Sequence, residues 1–278
     1  MPLPTLSIVT PSYNQAKYLD ETIRSVLCQR DQVHEYFVID GGSTDESASV
    51  IQKYASQIDH WVSEKDKGQS DAIQKGFSRA TGDILYWLNS DDVLLPGALA
   101  KVRQAFADHP RWDVLTGYGC WIDADSRITK VFRMGRESAR LARGGCMHVC
   151  QQTCFFKREI YERVGGLNLD LHCIMDVELW ARMFEAGAVW GLVPQYLAGF
   201  RRHDLAKGSA WSKEYADEHV WAVEHYPGYW DGGSRSMRLL HMMDQLLTGR
   251  RLRAWLDGRR WIGQKITDVL GEWNVDLG

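Results

Sequence analysis

Short apolar runs alternate with segments of helical periodicity over the first hundred or so residues, and this alternation restricts the fold more than any other feature of the chain. The apolar runs predict β-strands at 6–10, 36–40, 60–63 and 84–88, and the segments between them predict helices at about 18–29, 45–54 and 70–79. Short, almost wholly apolar strands separated by helices are typical of a parallel sheet that is covered on both faces. The sequence therefore predicts an α/β domain with a mostly parallel central sheet and helices on both faces.

Polar and acidic residues follow each predicted strand, at the edge where parallel sheets bind their ligands. The four segments are 11–14 (PSYN), 40–45 (DGGSTD), 64–68 (EKDKG) and 89–92 (NSDD). Helix N-capping explains one such residue in a loop, but not acids in loop after loop. Because crowded carboxylates repel each other unless a cation neutralises them, the pattern predicts Mn²⁺ or Mg²⁺ carrying a substrate diphosphate.

Three ordered motifs carry a family resemblance: 10–14 (TPSYN), 38–45 (VIDGGSTD) and 87–92 (WLNSDD). Together they resemble the nucleotide half of the family 2 glycosyltransferases, which have the Rossmann-like GT-A fold, and the resemblance extends over about residues 5–205. It implies a GT-A catalytic domain at 1–210, with nucleotide-sugar binding at 1–95 and the acceptor side at 96–210. A C-terminal helical extension would follow at 211–278.

The resemblance implies that the first half binds an activated sugar donor, most often a UDP-sugar. Asp40 would then accept a hydrogen bond from the uracil N–H, while Tyr13 and the backbone near Pro11 pack on the base. Asp66 and Asp71 would lie near the ribose or the sugar. For Asp71, an exposed helix position is an equal alternative.

The acidic doublet Asp91–Asp92 corresponds to the DxD-type motif of the family. Asp92 would ligate the cation that bridges the two phosphates, and Asp91 would contact the ribose or share the metal. Hard oxygen ligands favour Mn²⁺ or Mg²⁺ over zinc. Asn89 stands where many members carry another aspartate, so we do not expect it to ligate metal strongly.

The segment around Asp176 resembles the family's acidic motif that provides the general base. In an inverting transfer, one carboxylate takes the proton from the acceptor hydroxyl while the metal stabilises the leaving diphosphate. Asp176 is the expected base. Glu178 is expected to support the site without direct contact, because two residues further along a helix it points elsewhere. Without the preceding motifs, Asp176 would be assigned as a helix N-cap.

The Gly- and Ser-containing segment 199–209 ends the resemblance and is predicted to be a loop. His203 is the expected further metal ligand beside Asp92, with an ordinary surface or core histidine as the alternative. Arg201, Arg202 and Lys207 would offset phosphate charge.

The predicted helices of the C-terminal extension are basic and aromatic. Between residues 235 and 265 there are eight Lys or Arg and only two Asp, and six of the twelve tryptophans lie beyond residue 210. Two interpretations remain open for these helices. They form an interfacial surface on anionic lipid, or a solvated basic face that packs on the catalytic domain.

Composition excludes two other classes of protein. No run of about 18 uncharged apolar residues occurs, which argues against a membrane-spanning helix, and the net charge of −3 argues against a general nucleic-acid binder. The first five residues lack the basic region of a signal peptide. We therefore expect a cytoplasmic protein, with peripheral contact on the inner face of the membrane as an open alternative.

These features predict a metal-dependent, inverting glycosyltransferase that acts on a hydroxyl of a glycan or lipid-linked acceptor in cell-surface polysaccharide biosynthesis. A nucleotidyltransferase is one alternative, but it needs a basic phosphate-gripping loop near the first strand, which 11–14 lacks. A non-catalytic sugar-nucleotide binding module is the other. Such a module would tolerate the loss of Asp92 and Asp176, yet both are present.

Overall fold

The computed structural model describes residues 2–145, 147–203, 213–226, 229, 235–273 and 275, with the backbone alone described at 235–238, 240 and 241. Its strands are β1 (Leu6–Ser12), β2 (Glu35–Asp40), β3 (His60–Ser63), β4 (Ile84–Trp87), β5 (Val93–Leu94), β6 (Val114–Ile122), β7 (Ile128–Phe132), β8 (Phe155–Lys157) and β9 (Trp190–Arg201). They form one sheet in the order β3-β2-β1-β4-β8-β6-β9-β5, and β7 pairs with β6.

Helices follow most of the strands. They are α1 (Ala16–Leu27), α2 (Ser47–Lys53), α3 (Gln69–Phe77), α4 (Ala98–Asp108), α5 (Ala139–Arg143), α6 (Arg158–Arg163), α7 (Met175–Glu185), α8 (Lys213–His225), α9 (Arg235–Leu247), α10 (Arg250–Trp261) and α11 (Ile266–Leu270). Over the described ranges, none of these helices combines the length and the apolar character needed to cross a bilayer.

The predicted α/β fold is confirmed, and β1 to β4 form its parallel half. Alternate side chains of each strand enter different cores, as the two-residue repeat of a strand requires. Val9 and Trp87 pack in one core, whereas Ile8 and Tyr86 pack in another. Because these strands are apolar along their length, both faces of the sheet must be covered by helices.

The predicted loop at 199–209 is wrong at its start, because residues 199–201 form the end of β9. This strand pairs parallel with β6 and antiparallel with β5. Its glycines mark close approaches rather than loop positions. A side chain at Gly191 would overlap the ring of Trp112, and one at Gly199 would lie 2.8 Å from Ile266.

The C-terminal residues close one end of the sheet. Ile266 and Trp273 are buried in a cluster with Val93 of β5. The indole N–H of Trp273 donates to the Leu94 carbonyl at 2.9 Å, and Arg24 of α1 donates to the Trp273 carbonyl at 2.9 Å. Ile266 and Trp273 are thus part of the packing of the sheet.

Trp273→Ala should lower the free energy of unfolding by about 3–5 kcal/mol, because it empties a buried indole site and leaves a carbonyl without its donor. Trp255→Ala is the matched control: Trp255 is 54% exposed, and its replacement should change that free energy by no more than about 0.5 kcal/mol. Urea titration followed by circular dichroism measures both. Equal effects of the two changes would show that Trp273 does not hold the extension on the sheet.

Candidate active site

A cavity of about 710 Å³ opens at the carboxyl ends of β1 to β4. Its walls come from the loops after these strands, from the start of α7 and from Phe200 of β9. Among the sequence-predicted residues, it brings together Pro11, Tyr13, Asp66, Asp91 and Asp176. The arrangement follows the rule that ligands of such sheets bind beyond the carboxyl ends of the strands.

One end of the cavity is formed by the loops after β1, β2 and β3. Tyr13 is 61% exposed and presents its ring beside Pro11. The Asp66 carboxylate packs closely on Gly41, where a Cβ atom would lie only 2.7 Å from its Oδ2 atom. Asp66 also accepts the N–H of Gly68 at 2.8 Å. An aromatic ring, a glycine and a fixed carboxylate at one end suit a planar base with a ring N–H.

Two of the predicted nucleotide-binding aspartates are not among the residues that line the cavity. Asp40 is fully buried, and it accepts hydrogen bonds from the Ser43 N–H at 2.9 Å and from the Ser63 hydroxyl at 2.7 Å. Asp40 therefore joins the loop after β2 to the end of β3. Asp71, in the first turn of α3, accepts the Lys67 N–H at 3.1 Å and pairs with Lys75 at 3.4 Å.

The two aspartates of the acidic doublet have different surroundings. Asp91 lines the cavity, and its Oδ2 atom lies 3.1 Å from Nε2 of His203. Asp92 is fully buried and accepts the Arg201 N–H at 2.8 Å, the Gln152 amide at 2.8 Å and the Asn89 amide at 3.1 Å. Burial raises the pKa of Asp92 well above its usual range. Of the two aspartates, Asp91 is the one that lines the cavity in which a ligand would bind.

Asp91 and His203 are suitable donors for a divalent ion, since they offer a carboxylate oxygen and an imidazole nitrogen. No cluster of three or more His, Cys, Asp or Glu side chains suited to a metal occurs in the part of the chain that the structure describes. An ion held by Asp91 and His203 would therefore take further oxygens from its ligand, as Mg²⁺ does with substrate phosphates.

Arg201 is buried inside the protein and contacts both aspartates of the acidic doublet. Its side chain is fully buried and donates to the Asp91 carbonyl at 2.7 Å and to the Ser126 hydroxyl at 2.9 Å, and it forms an ion pair with Glu21. The guanidinium group therefore holds the main chain of Asp91.

The other two predicted phosphate-binding cations are Arg202 and Lys207. Arg202 is exposed and lies over the ring of Trp121, 4.6 Å from its centroid, and it is not among the lining residues. Lys207 lies outside the described residues.

Asp176 lies in the first turn of α7 and lines the cavity. One of its oxygens accepts the Val177 N–H at 2.8 Å. Burial raises the pKa of this carboxyl group to about 6. Glu178 is not among the lining residues; it is buried, pairs with Arg182 at 2.7 Å and accepts the Tyr226 hydroxyl at 2.8 Å.

Sequence reasoning missed the residue that holds the start of α7. Glu218 of α8 accepts the main-chain N–H groups of His172, Cys173 and Ile174 at 2.7, 2.8 and 3.0 Å. The residue before the helix, Ile174, has no side-chain cap of its own. Glu218 lies 44 to 46 residues further along the chain and holds the three residues that precede the helix, and no local pattern indicates such a partner.

Amide and imidazole side chains complete the walls. Gln69 donates to the Asn89 side chain at 2.7 Å, and Gln151 donates to the Trp87 carbonyl at 2.8 Å. Lys65 and His172 also line the cavity. Lys65 follows β3, so the expectation that ligand-binding residues follow the parallel strands includes it. That expectation does not include His172.

Asp176→Asn should raise the unfolding midpoint at neutral pH and leave it almost unchanged in acid. The folded-state pKa near 6 exceeds the ordinary value of 3.8, so wild-type stability falls as pH rises between these values. Asparagine carries no charge and keeps an oxygen for the Val177 N–H. Thermal unfolding at about pH 4.5 and about pH 7.5 measures the difference.

The surface change Asp170→Asn is the control for this experiment and should not reproduce the effect. A midpoint difference between Asp176→Asn and wild type that is the same at both pH values would contradict the burial of an ionisable carboxyl group at this position.

Comparison with known proteins identifies the family. Residues 7–165 match the model of glycosyl transferase family 2. An uncharacterized glycosyltransferase of Mycobacterium tuberculosis is 32% identical over 181 residues, which are 64% of this chain and 68% of the relative.

Two solved structures share the fold. One is Staphylococcus aureus TarS 1-349 in complex with UDP-GlcNAc, with a TM-score of 0.63 and 18% identity over 79% of this chain and 66% of that one. The other is the mannosyltransferase PcManGT from Pyrobaculum calidifontis in complex with GDP-Man and Mn²⁺, with a TM-score of 0.58 and 18% identity over 92% of this chain and 84% of that one. The family match, the relative and the shared fold agree with the motifs after β1, β2 and β4: this chain belongs to glycosyl transferase family 2 and is a glycosyltransferase.

Proposed function

We propose that the chain is an inverting, metal-dependent enzyme that transfers a sugar from a UDP-sugar to a hydroxyl of a glycan or lipid-linked acceptor in cell-surface polysaccharide biosynthesis. The observation that carries the proposal is a single cavity that holds Asp91, adjoined by His203, together with Asp176. The fold neighbours were solved with UDP-GlcNAc and with GDP-Man and Mn²⁺, which supports a nucleotide-sugar donor and a metal ion.

At the donor end, the base stacks on Tyr13 beside Pro11 and Gly41. Asp66 is the carboxylate that accepts its ring N–H, because it lines the cavity and its position is fixed by the Gly68 N–H. Asp40 contributes indirectly. By joining Ser43 and Ser63 it sets the shape of the loops on which the base rests.

Asp91 and His203 hold the divalent ion, Mn²⁺ or Mg²⁺. When bound, the ion supplies positive charge to the leaving diphosphate. Contacts within the protein hold both metal-binding residues in place. Arg201 donates a hydrogen bond to the Asp91 carbonyl, and the ring of Tyr18 packs on the His203 imidazole with a centroid distance of 4.7 Å.

Asp176 takes the proton from the acceptor hydroxyl as the anomeric carbon is attacked in a single displacement. A carboxylate whose pKa is about 6 is mostly ionised at neutral pH and is a stronger base than an ordinary aspartate. This feature favours a catalytic role over sugar-nucleotide binding alone, because pKa values shifted toward neutrality concentrate at reacting sites.

Replacing Asp176 by Asn should lower the rate of donor hydrolysis by about 10²–10⁴-fold and leave Mn²⁺-dependent UDP binding intact. For wild type, kcat/KM should fall about tenfold for each unit of pH below about 6, because the base is then protonated. UDP release from a panel of UDP-sugars, followed from about pH 5 to about pH 8, measures both effects. An Asp176→Asn protein with the wild-type rate and pH profile would exclude Asp176 as the base.

Separate alanine variants of the doublet should fail in different ways. Asp91→Ala should keep the wild-type unfolding midpoint and lose the Mn²⁺-dependent part of UDP binding. Asp92→Ala should instead lower the free energy of unfolding by about 1–3 kcal/mol or more, because two buried donors, the Arg201 N–H and the Gln152 amide, and the partly buried Asn89 amide lose their acceptor. Calorimetric titration of UDP with Mn²⁺ or with EDTA, together with thermal unfolding, separates the two.

Two results would change the assignment. Metal-independent UDP binding by wild type would exclude metal dependence. A stable Asp92→Ala protein that has lost the Mn²⁺ effect would move the ligand role from Asp91 to Asp92.

A further inference from the structure

The helices α9 and α10 expose an unusual concentration of apolar side chains. Nine large apolar side chains in this pair of helices and the residue after it are between 42% and 83% exposed: Leu239, Met242, Met243, Leu246, Leu247, Leu252, Trp255, Leu256 and Ile262. In the rest of the described chain, only Tyr13, Leu169, Val189 and Val220 are large apolar residues with comparable exposure. We call the nine residues the hairpin face, since α9 and α10 follow each other across a turn at 248–249 and are in contact.

The exposed apolar residues of α10 lie opposite its packed side. Gly258 is buried near Val131, and the ring of Trp261 lies 5.0 Å from that of Tyr196. With 3.6 residues per turn, Leu252 and Leu256 project from the other side of the helix, and Trp255 lies between the two sides. The helix is therefore packed against the protein on one side, and its outer side carries exposed apolar residues among arginines.

The exposed residues of α9 form a single stripe. Leu239, Met242, Met243 and Leu246 follow the i, i+3, i+4, i+7 spacing that places side chains on one side of a helix. Asp244 and Arg250 form an ion pair across the turn and fasten the two helices together. Nine exposed apolar side chains on two helices that are in contact need an explanation, whereas scattered exposed residues would need none.

Positive charge surrounds the hairpin face. Four arginines of α10 are exposed: Arg251, Arg253, Arg259 and Arg260. The Arg259 guanidinium group lies over the Trp255 ring, 4.9 Å from its centroid, so a cation and an aromatic ring are adjacent on the surface. The acid within α10, Asp257, is paired with Arg133 at 2.6 Å and does not neutralise them.

We propose that the hairpin face docks on an anionic phospholipid surface, with its apolar side chains at the boundary of the headgroups and acyl chains and its arginines against the lipid phosphates. Apolar area combined with arginine is the composition that such interfaces favour. A second copy of the chain fits less well, because pairing two hairpin faces would bring eight exposed arginines together. The two interpretations of the basic helices are thus combined: one side of α10 packs on the domain, and the other meets the membrane.

Co-sedimentation of the full chain with vesicles tests the proposal. Wild type should bind vesicles that contain phosphatidylglycerol and bind phosphatidylcholine vesicles weakly. The combined change Leu252→Ser, Trp255→Ser and Leu256→Ser should lower the partition coefficient about tenfold or more. The matched control Leu169→Ser, Val189→Ser and Val220→Ser removes three equally exposed apolar side chains elsewhere and should bind as wild type does.

A second set of changes tests the charge. Replacing Arg251, Arg253, Arg259 and Arg260 by glutamine should abolish the preference for anionic vesicles and its sensitivity to salt. Unchanged donor hydrolysis and an unchanged unfolding midpoint in each variant establish that the cavity and the fold are intact, so that this result stands apart from the proposed enzyme function.

Three outcomes would overturn the proposal. Wild type could fail to bind anionic vesicles. The control triple variant could weaken binding as much as the hairpin variant does. Light scattering could show that the hairpin changes dissolve a dimer while vesicle binding is absent, which would assign the face to a second copy of the chain.

Discussion

Buried carboxylates that accept hydrogen bonds from distant segments hold this structure around its cavity. Asp40 joins the loop after β2 to the end of β3, Asp92 joins β9 to Gln152 in the segment before β8, and Glu218 of α8 holds the residues before α7. A carboxylate is costly to bury unless its oxygens are satisfied, and each of these has donors. These carboxylates therefore fix the relative positions of the segments that they join, because moving one segment would leave a carboxylate or a hydrogen-bond donor unpaired.

Asp176 lines the cavity instead. It accepts the Val177 N–H, and burial raises its pKa to about 6. Asp91 also lines the cavity, and it is held through its carbonyl by Arg201 while its carboxylate lies beside His203. Burial raises the pKa of Asp92 as well, so the carboxylates differ in their surroundings: Asp92 is enclosed by donors of the protein, whereas Asp91 and Asp176 border the cavity and are available for chemistry.

The C-terminal residues contribute to the enzyme in more than one way. Glu218 fixes the helix that carries Asp176, and Trp273 closes the apolar cluster beside β5. The exposed apolar side chains of α9 and α10 take part in neither of these contacts. The residue that holds the segment before α7 and the residues that expose an apolar face therefore belong to the same C-terminal helical region.

The sequence by itself determined the order of the first four strands and of the helices between them, the edge where the polar residues gather, and the family. These are encoded locally, in two- and three-to-four-residue periodicities and in motifs that follow single strands. Only the tertiary structure decided that Asp91 rather than Asp92 faces the cavity, that Asp66 lines it where Asp40 does not, that residues 190–201 form a strand, and that Glu218 holds the residues before α7. Each of these depends on a partner far along the chain, up to 109 residues for the bond between the Arg201 N–H and Asp92. Two adjacent aspartates look equivalent in sequence, and the donors that the fold brings to one of them make it structural and leave the other for the ligand.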